Sequence, residues 1–248
     1  MLVSYLANPW LADTIAAIIT LAVAVLWLRV IDAFAHRGLL ESRLSRKIIH
    51  IGTGPLFVAC WPLFSAEPAA RWFAAAVPLI ISLQFVAVGM GWMRDDAAVQ
   101  AMTRTGDRRE ILRGPLYYGI AFVVVTLLLW RGSPIGILAL MALCGGDGLA
   151  DIVGRRLGRV KLPGMAEKSW AGSAAMFAGS FLFGAGYVAW FNSFGAFAPA
   201  LTSGSILIGS GLASAVVTVI EAFSPRDVDN LLIVAVIVMM GALGWIFF

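Results

Sequence analysis

Apolar runs of about twenty residues recur from one end of this chain to the other, and no other feature restricts its fold so strongly. Inside a bilayer the backbone N–H and C=O groups find no water, so they must be satisfied within a helix or a closed barrel. Runs such as residues 231–240 lack the in-and-out alternation of a barrel strand. The chain therefore reads as all-α, a polytopic helical membrane protein. Composition agrees: of 248 residues 60% are hydrophobic and only 13% charged, against about a quarter charged in soluble domains.

Eight spans are expected, at residues 10–31, 48–65, 72–92, 115–130, 134–148, 170–192, 199–220 and 230–247. Small residues inside them, Ala175 and Gly179 among them, suit close helix packing. No linker marks a second domain, so residues 1–248 read as a single membrane domain. Ala33-Phe34-Ala35 resembles a signal-cleavage motif. The first span has no Lys or Arg before Arg29, however, and its basic residues follow it, which is the wrong polarity for a secretory signal. It is expected to be a retained helix with its N-terminus outside. Cys60 and Cys144 lie in apolar runs and form no disulfide or zinc pattern, so they read as small buried residues.

Loop charges set the orientation. The odd-numbered connections carry Arg29, Arg37, Arg43, Arg46 and Lys47, then Arg94, Arg104, Arg108, Arg109 and Arg113, then Arg155, Arg156, Arg159, Lys161 and Lys168, then Arg226. The even-numbered ones hold only Arg71 and Arg131. With 16 of the 18 basic residues on one side, the odd loops are expected in the cytoplasm. A bacterial inner membrane is the expected location, and the dense polar clusters all fall on its cytoplasmic face.

The densest cluster is residues 145–172. Asp147 and Asp151 are four apart, which puts both carboxylates on one face of a helix. If that helix continues past Asp151, Gly154 and Gly158 fall within about 40° of the same direction at 100° per residue. Two carboxylates beside two bare backbone patches suit a divalent cation bridging phosphates, because Mg²⁺ takes one or two carboxylates plus phosphate oxygens and water. Arg155, Arg156, Arg159, Lys161 and Lys168 are placed to neutralise a polyphosphate. Ser169 and the backbone of Trp170, Ala171 and Gly172 stand where the next helix starts, and helix N-termini bind anions. The plainer reading makes the cations positive-inside determinants with solvated acidic partners. It fits Asp147 least, since a carboxylate at the end of a span is costly. No GxxxxGK[ST] phosphate loop occurs.

Three further clusters lie on the same face. Lys47 and His50 are three apart at the start of the second span, where His50 would contact phosphate or relay a proton, or is simply hydrogen-bonded. In the third loop Asp107 and Glu110 fit an N-cap with a capping box, and Pro115 opens the next span. Tyr117 and Tyr118 there read as interfacial aromatics, and Arg113 is an optional phosphate contact. In the seventh loop Asp229 and Asn230 read as caps of the last helix. Glu221 ends a buried run, and with Asp147 and Asp151 it would complete a metal site or accept a proton from an alcohol.

Taken together, these residues resemble a known family. The string from Gly146-Asp147-Gly148-Leu149-Ala150-Asp151 through Gly154-Arg155-Arg156-Leu157-Gly158, then Lys161-Leu162-Pro163 and Glu167-Lys168-Ser169-Trp170-Ala171-Gly172-Ser173, is similar to the signature of phytol kinases. These belong with the CTP-dependent polyprenol kinases that include dolichol kinase, and more distantly the string resembles the CTP-handling segment of phosphatidate cytidylyltransferase. Arg46-Lys47-Ile48-Ile49-His50, Arg113-Gly114-Pro115-Leu116-Tyr117-Tyr118 and Glu221 with Asp229-Asn230 fit as well, so the resemblance spans roughly residues 43–247.

The resemblance implies an integral membrane enzyme that moves the γ-phosphate of CTP, or another nucleoside triphosphate, onto an isoprenoid alcohol such as phytol, farnesol, geranylgeraniol or dolichol. Asp147 and Asp151 would hold Mg²⁺ and the triphosphate, with Glu221 as a third metal ligand. Lys168, Glu221 and His50 join them as candidate catalytic groups. Gly146, Gly154, Arg155, Arg156, Gly158, Lys161, Ser169, Gly172, Lys47, Arg113 and Asn230 complete the expected nucleotide contacts. The short seventh loop, with Phe223, Ser224, Pro225, Arg226 and Asp227, departs from the family pattern and leaves lipid selectivity there unassigned. No nucleic-acid partner is expected, and the oligomeric state stays open. The competing readings are a cytidylyltransferase that makes a CDP-lipid and a transporter without chemistry. Inverted repeats with broken midplane helices would favour the transporter, and the sequence has none.

Overall fold

Helices of membrane-crossing length are what the apolar runs require, and the computed structural model supplies six of them. It describes residues 8–165, 167–225 and 228–246, with the side chains of Ser42 and Arg43 left out. Arg226 and Asp227 of the seventh loop, and Phe247 at the expected end of the eighth span, lie outside the described residues. The described residues are helical apart from short connections and one isolated β-bridge. The six long apolar helices are Pro9–His36, Ala70–Met90, Arg108–Leu128, Pro134–Leu157, Trp170–Ser193 and Ser203–Phe223.

Two of the eight expected spans fall short of that standard. The second belongs to a helix over Ser42–Ala59 that starts six residues earlier than expected and takes Arg46 and Lys47 into its first turns. The eighth is a helix over Asp229–Ala242 of 14 residues. At about 1.5 Å per residue it reaches roughly 21 Å, less than a hydrocarbon core of about 30 Å. Among the described residues, length and composition support six spans, where eight were expected.

The chain clusters into two compact units, Met1–Trp130 and Arg131–Phe248. The first unit holds α1 (Pro9–His36), α2 (Ser42–Ala59), α3 (Ala70–Met90), α4 (Asp96–Met102) and α5 (Gly114–Leu128), with short 3-10 turns at Trp61–Leu63 and Arg108–Leu112. Asn8 starts α1 by accepting hydrogen bonds from the N–H groups of Trp10 and Leu11. One turn further on, the buried Asp13 carboxylate accepts the Ser65 backbone N–H at 2.6 Å and its hydroxyl at 2.9 Å, tying α1 to the α2–α3 connection. On α5 the rings of Tyr118 and Phe122 pack against each other, and Phe122 meets Phe57 of α2, which stacks edge-on against Trp61.

The second unit holds α6 (Pro134–Met141), α7 (Gly148–Leu157), α8 (Trp170–Ser193), α9 (Ser203–Phe223) and α10 (Asp229–Ala242). A π-helical turn over Ala142–Asp147 joins α6 to α7 without a break, so Pro134–Leu157 is one continuous rod. Every residue from 136 to 148 is buried, because α8, α9 and α10 all pack around this rod. Small residues allow the approach. A Cβ on Gly179 of α8 would come 2.8 Å from the carbonyl carbon of Gly145, and one on Gly145 would strike the ring of Phe183. This is the close packing of small residues that membrane helices use in place of a hydrophobic driving force.

Candidate functional site in the second unit

The rod brings its acidic residues out of the core in a fixed order. Asp147 closes the π-turn and is 7% exposed, while Asp151 stands one turn further along α7 and is half-buried. The helix does continue past Asp151, to Leu157, so the one-face argument holds for the two carboxylates. Asp151 Oδ1 accepts a hydrogen bond from Arg155 Nε at 2.8 Å, an i,i+4 pair. Arg155 and Arg156 sit in the last turn of α7, where positive charge also complements the helix dipole. Arg156, Arg159 and Lys161 are exposed.

Two expectations about backbone need correction. Gly154 and Gly158 do not offer open patches to a phosphate, because α8 already occupies that side. A Cβ on Gly154 would lie 3.3 Å from the Gly172 Cα, and one on Gly158 would lie 2.8 Å from the Ser169 Cβ. Gly172 is the other half of the same contact, and Gly146 is packed against Ser180 and Met176 of α8. These four glycines let α7 and the π-turn touch α8. The N-terminus of α8 is likewise engaged internally. Trp170 N–H donates to the Val160 carbonyl, Gly172 N–H to Ser169 Oγ, and Ser173 N–H to the Ser169 carbonyl. Ser169 is thus the N-cap of α8.

The segment between α7 and α8 is a hairpin rather than a plain solvated loop. Lys161 and Ser169 form an antiparallel bridge, and Leu162 N–H donates to the Lys168 carbonyl at 3.1 Å. The hairpin turns through Gly164, whose φ of +74° falls in the left-handed region that glycine tolerates best. It delivers Lys168 to the last full turn of α9, where its ammonium pairs with the buried carboxylate of Glu221. The Lys168 side chain is 24% exposed and that of Glu221 6%.

This pairing bears on the expected metal set. Among the described residues no three His, Cys, Asp or Glu side chains gather as an ion site. In this structure the Glu221 carboxylate faces the Lys168 ammonium. Asn230 is buried in the first turn of α10, and its N–H donates to Asp229 Oδ1. The other expected contacts belong to the first unit. His50 is half-buried, with its ring 4.5 Å from that of Tyr118, and its carbonyl accepts the Tyr118 hydroxyl at 2.9 Å. Lys47 lies one turn earlier on α2, and Arg113 is exposed at the junction of the Arg108–Leu112 turn with α5. Asp107 caps that turn through Arg109 N–H, but Glu110 reaches Arg104 N–H and the Thr105 hydroxyl rather than closing a capping box.

Sequence reasoning read Tyr118 as an interfacial aromatic and did not connect it with His50. It also missed the Lys168–Glu221 pair, since a separation of 53 residues leaves no local pattern. What the second unit assembles is a buried carboxylate, a second carboxylate in reach of water, a string of exposed cations and an ammonium held by a buried acid. Such a set is suited to a polyanion and a hard cation.

The chain is similar to curated proteins over most of its length. The chain is 46% identical over 189 residues to a probable chloroplastic phytol kinase of Triticum aestivum, covering 76% of this chain and 63% of that protein. It is 40% identical over 240 residues to probable phytol kinase 3, chloroplastic, of Glycine max, covering 95% of this chain and 74% of the relative. It is 41% identical over 188 residues to the chloroplastic farnesol kinase of Arabidopsis thaliana, covering 76% and 61%. The chain thus spans between about three fifths and three quarters of these relatives' own lengths. No family model matches it, and no solved structure does. Because these relatives are chloroplastic plant proteins, they lend no support to a bacterial inner membrane. The supported location is coarser, an integral membrane protein, and it rests on the six long apolar helices.

Proposed function

We propose a lipid-alcohol kinase activity for this chain, which belongs to the phytol kinase family. The acceptor is an isoprenoid alcohol of the class named by its relatives, phytol or farnesol, and the donor is a nucleoside triphosphate. CTP is the expected nucleotide by the family resemblance. One observation carries the reading: the rod Pro134–Leu157 brings Asp147 and Asp151 from a buried core directly into the cationic stretch that holds Arg155, Arg156, Arg159 and Lys161.

The reaction forms a bond from the alcohol oxygen to the terminal phosphorus and breaks the bond from that phosphorus to its bridging oxygen. The nucleoside diphosphate leaves, and the alcohol proton passes to solvent or a nearby carboxylate. Phosphoryl transfer of this kind depends mainly on positioning and charge neutralisation. Lys168 and the exposed arginines supply positive charge, while the apolar helices keep the isoprenoid tail out of water. Asp147 and Asp151 fit Mg²⁺ by donor chemistry, being two oxygen ligands one turn apart that leave further positions to phosphate and water. When bound, the ion would neutralise charge on the phosphates. The excess of basic residues in the odd-numbered connections supports a nucleotide site on the membrane side that retains positive charge.

The test is transfer of label from γ-labelled CTP, UTP, ATP or GTP to phytol, farnesol, geranylgeraniol and dolichol by purified protein in lipid nanodiscs. Labelled lipid phosphate is expected with at least one donor and one alcohol. No transfer in any combination would sink the kinase reading.

A further inference from the structure

We infer that Glu221 is a positioning residue that orients the Lys168 ammonium toward the nucleotide phosphates, a role that rests on the kinase reading above. Three observations meet here. Glu221 is a buried carboxylate on α9 whose side chain engages the ammonium of Lys168. Lys168 is held from a second direction by its backbone, since its carbonyl accepts Leu162 N–H and the next residue caps α8. Among the described residues, no three acidic, histidine or cysteine side chains gather as a cluster.

An ammonium has three N–H donors, and the pair uses one of them. With Glu221 in place the ammonium is held at the end of α9, with donors left over for an anion. The two groups come from opposite ends of a 53-residue separation, so the contact also pins the α7–α8 hairpin to the end of α9. Phosphate recognition by Lys168 then depends on α9 although Glu221 itself touches no phosphate.

The experiment is a double-mutant cycle of wild type, Glu221→Gln, Lys168→Met and the double variant, read by the Kd for CTP and by the KM values for CTP and for farnesol. Each single variant is expected to weaken CTP binding about tenfold and to leave the farnesol KM within about twofold. The double variant is expected to be no worse than Lys168→Met, because both changes remove the same contact. The Mg²⁺ concentration at half-maximal rate is expected to be the same in Glu221→Gln as in wild type. Additive losses, an unchanged CTP affinity in Glu221→Gln, or a shifted Mg²⁺ midpoint would each overturn the inference; the last would return Glu221 to the metal. Where Lys168→Met does not fold, Lys168→Arg with and without Glu221→Gln closes the same cycle. Wild type that binds a nucleoside triphosphate but transfers phosphate from none of the four donors to any of the four alcohols would defeat the kinase reading while the cycle is still read from Kd. Wild type that binds none of the four nucleotides would defeat both.

Discussion

At the residue scale, the two aspartates of the rod differ in surroundings although they share a face. Asp147 is buried at the end of the π-turn, and Asp151 is half-buried and paired with Arg155. Removing either charge while keeping the shape tests the phosphate and cation role without opening a cavity. Asp147→Asn and Asp151→Asn are each expected to lower turnover by about a hundredfold or more, with elution on size exclusion unchanged. Unchanged turnover in both would refute the cation assignment and leave the fold intact. Arg155→Gln is expected to do less, because Arg156, Arg159 and Lys161 remain exposed nearby in the chain. A loss in Arg155→Gln as deep as that in Asp151→Asn would instead make the pair the functional unit. The spacing of Asp147 and Asp151 was legible in the sequence, since four residues is a helical repeat. The partner of Lys168 was not, since nothing local marks a contact between residues so far apart.

At the element scale, the glycines decide how closely α8 can lie on the rod. Sequence reading assigned Gly154 and Gly158 to a phosphate because they share a helical face with the aspartates. Their face is the right one, but its occupant is Ser169 and Gly172 of α8. Periodicity tells which way a residue points along its own helix and cannot tell what lies there. The same packing predicts a graded response along α8. Gly179→Ala would drive a Cβ into the Gly145 carbonyl, and overpacking of this kind costs about 1–3 kcal/mol. Gly186→Ala meets nothing within 4 Å and serves as the control. A lowered thermal midpoint for Gly179→Ala and an unchanged or raised one for Gly186→Ala are expected in detergent. Equal midpoints would remove the close approach of α8 to the π-turn from the account.

At the scale of the whole molecule, orientation in the membrane follows from where the cations lie. Within the second unit, α8 has 24 residues and spans about 36 Å at 1.5 Å per residue, enough for a hydrocarbon core of about 30 Å. The connections at its two ends should therefore face opposite sides of the bilayer. Cys60 and Cys144 are both buried, so an introduced cysteine reports its own position. In sealed right-side-out vesicles, Ala200→Cys is expected to react with a membrane-impermeant maleimide, and Glu167→Cys to react only after the vesicles are opened. Both positions are exposed. The reverse pattern would invert the topology, and labelling of both without opening would argue against α8 as a span.

The sequence by itself determined that the chain is helical and membrane-embedded, because a bilayer leaves long apolar segments almost no other fold. It also determined that two carboxylates share a face, because a helix repeats every 3.6 residues. Only the tertiary structure decided that the fifth span runs on through Asp151 to Leu157, and that Gly154 and Gly158 meet α8 rather than open space. It likewise brought Glu221 to Lys168 across 53 residues of sequence. Each of these depends on which helices lie side by side, and helix periodicity does not specify neighbours.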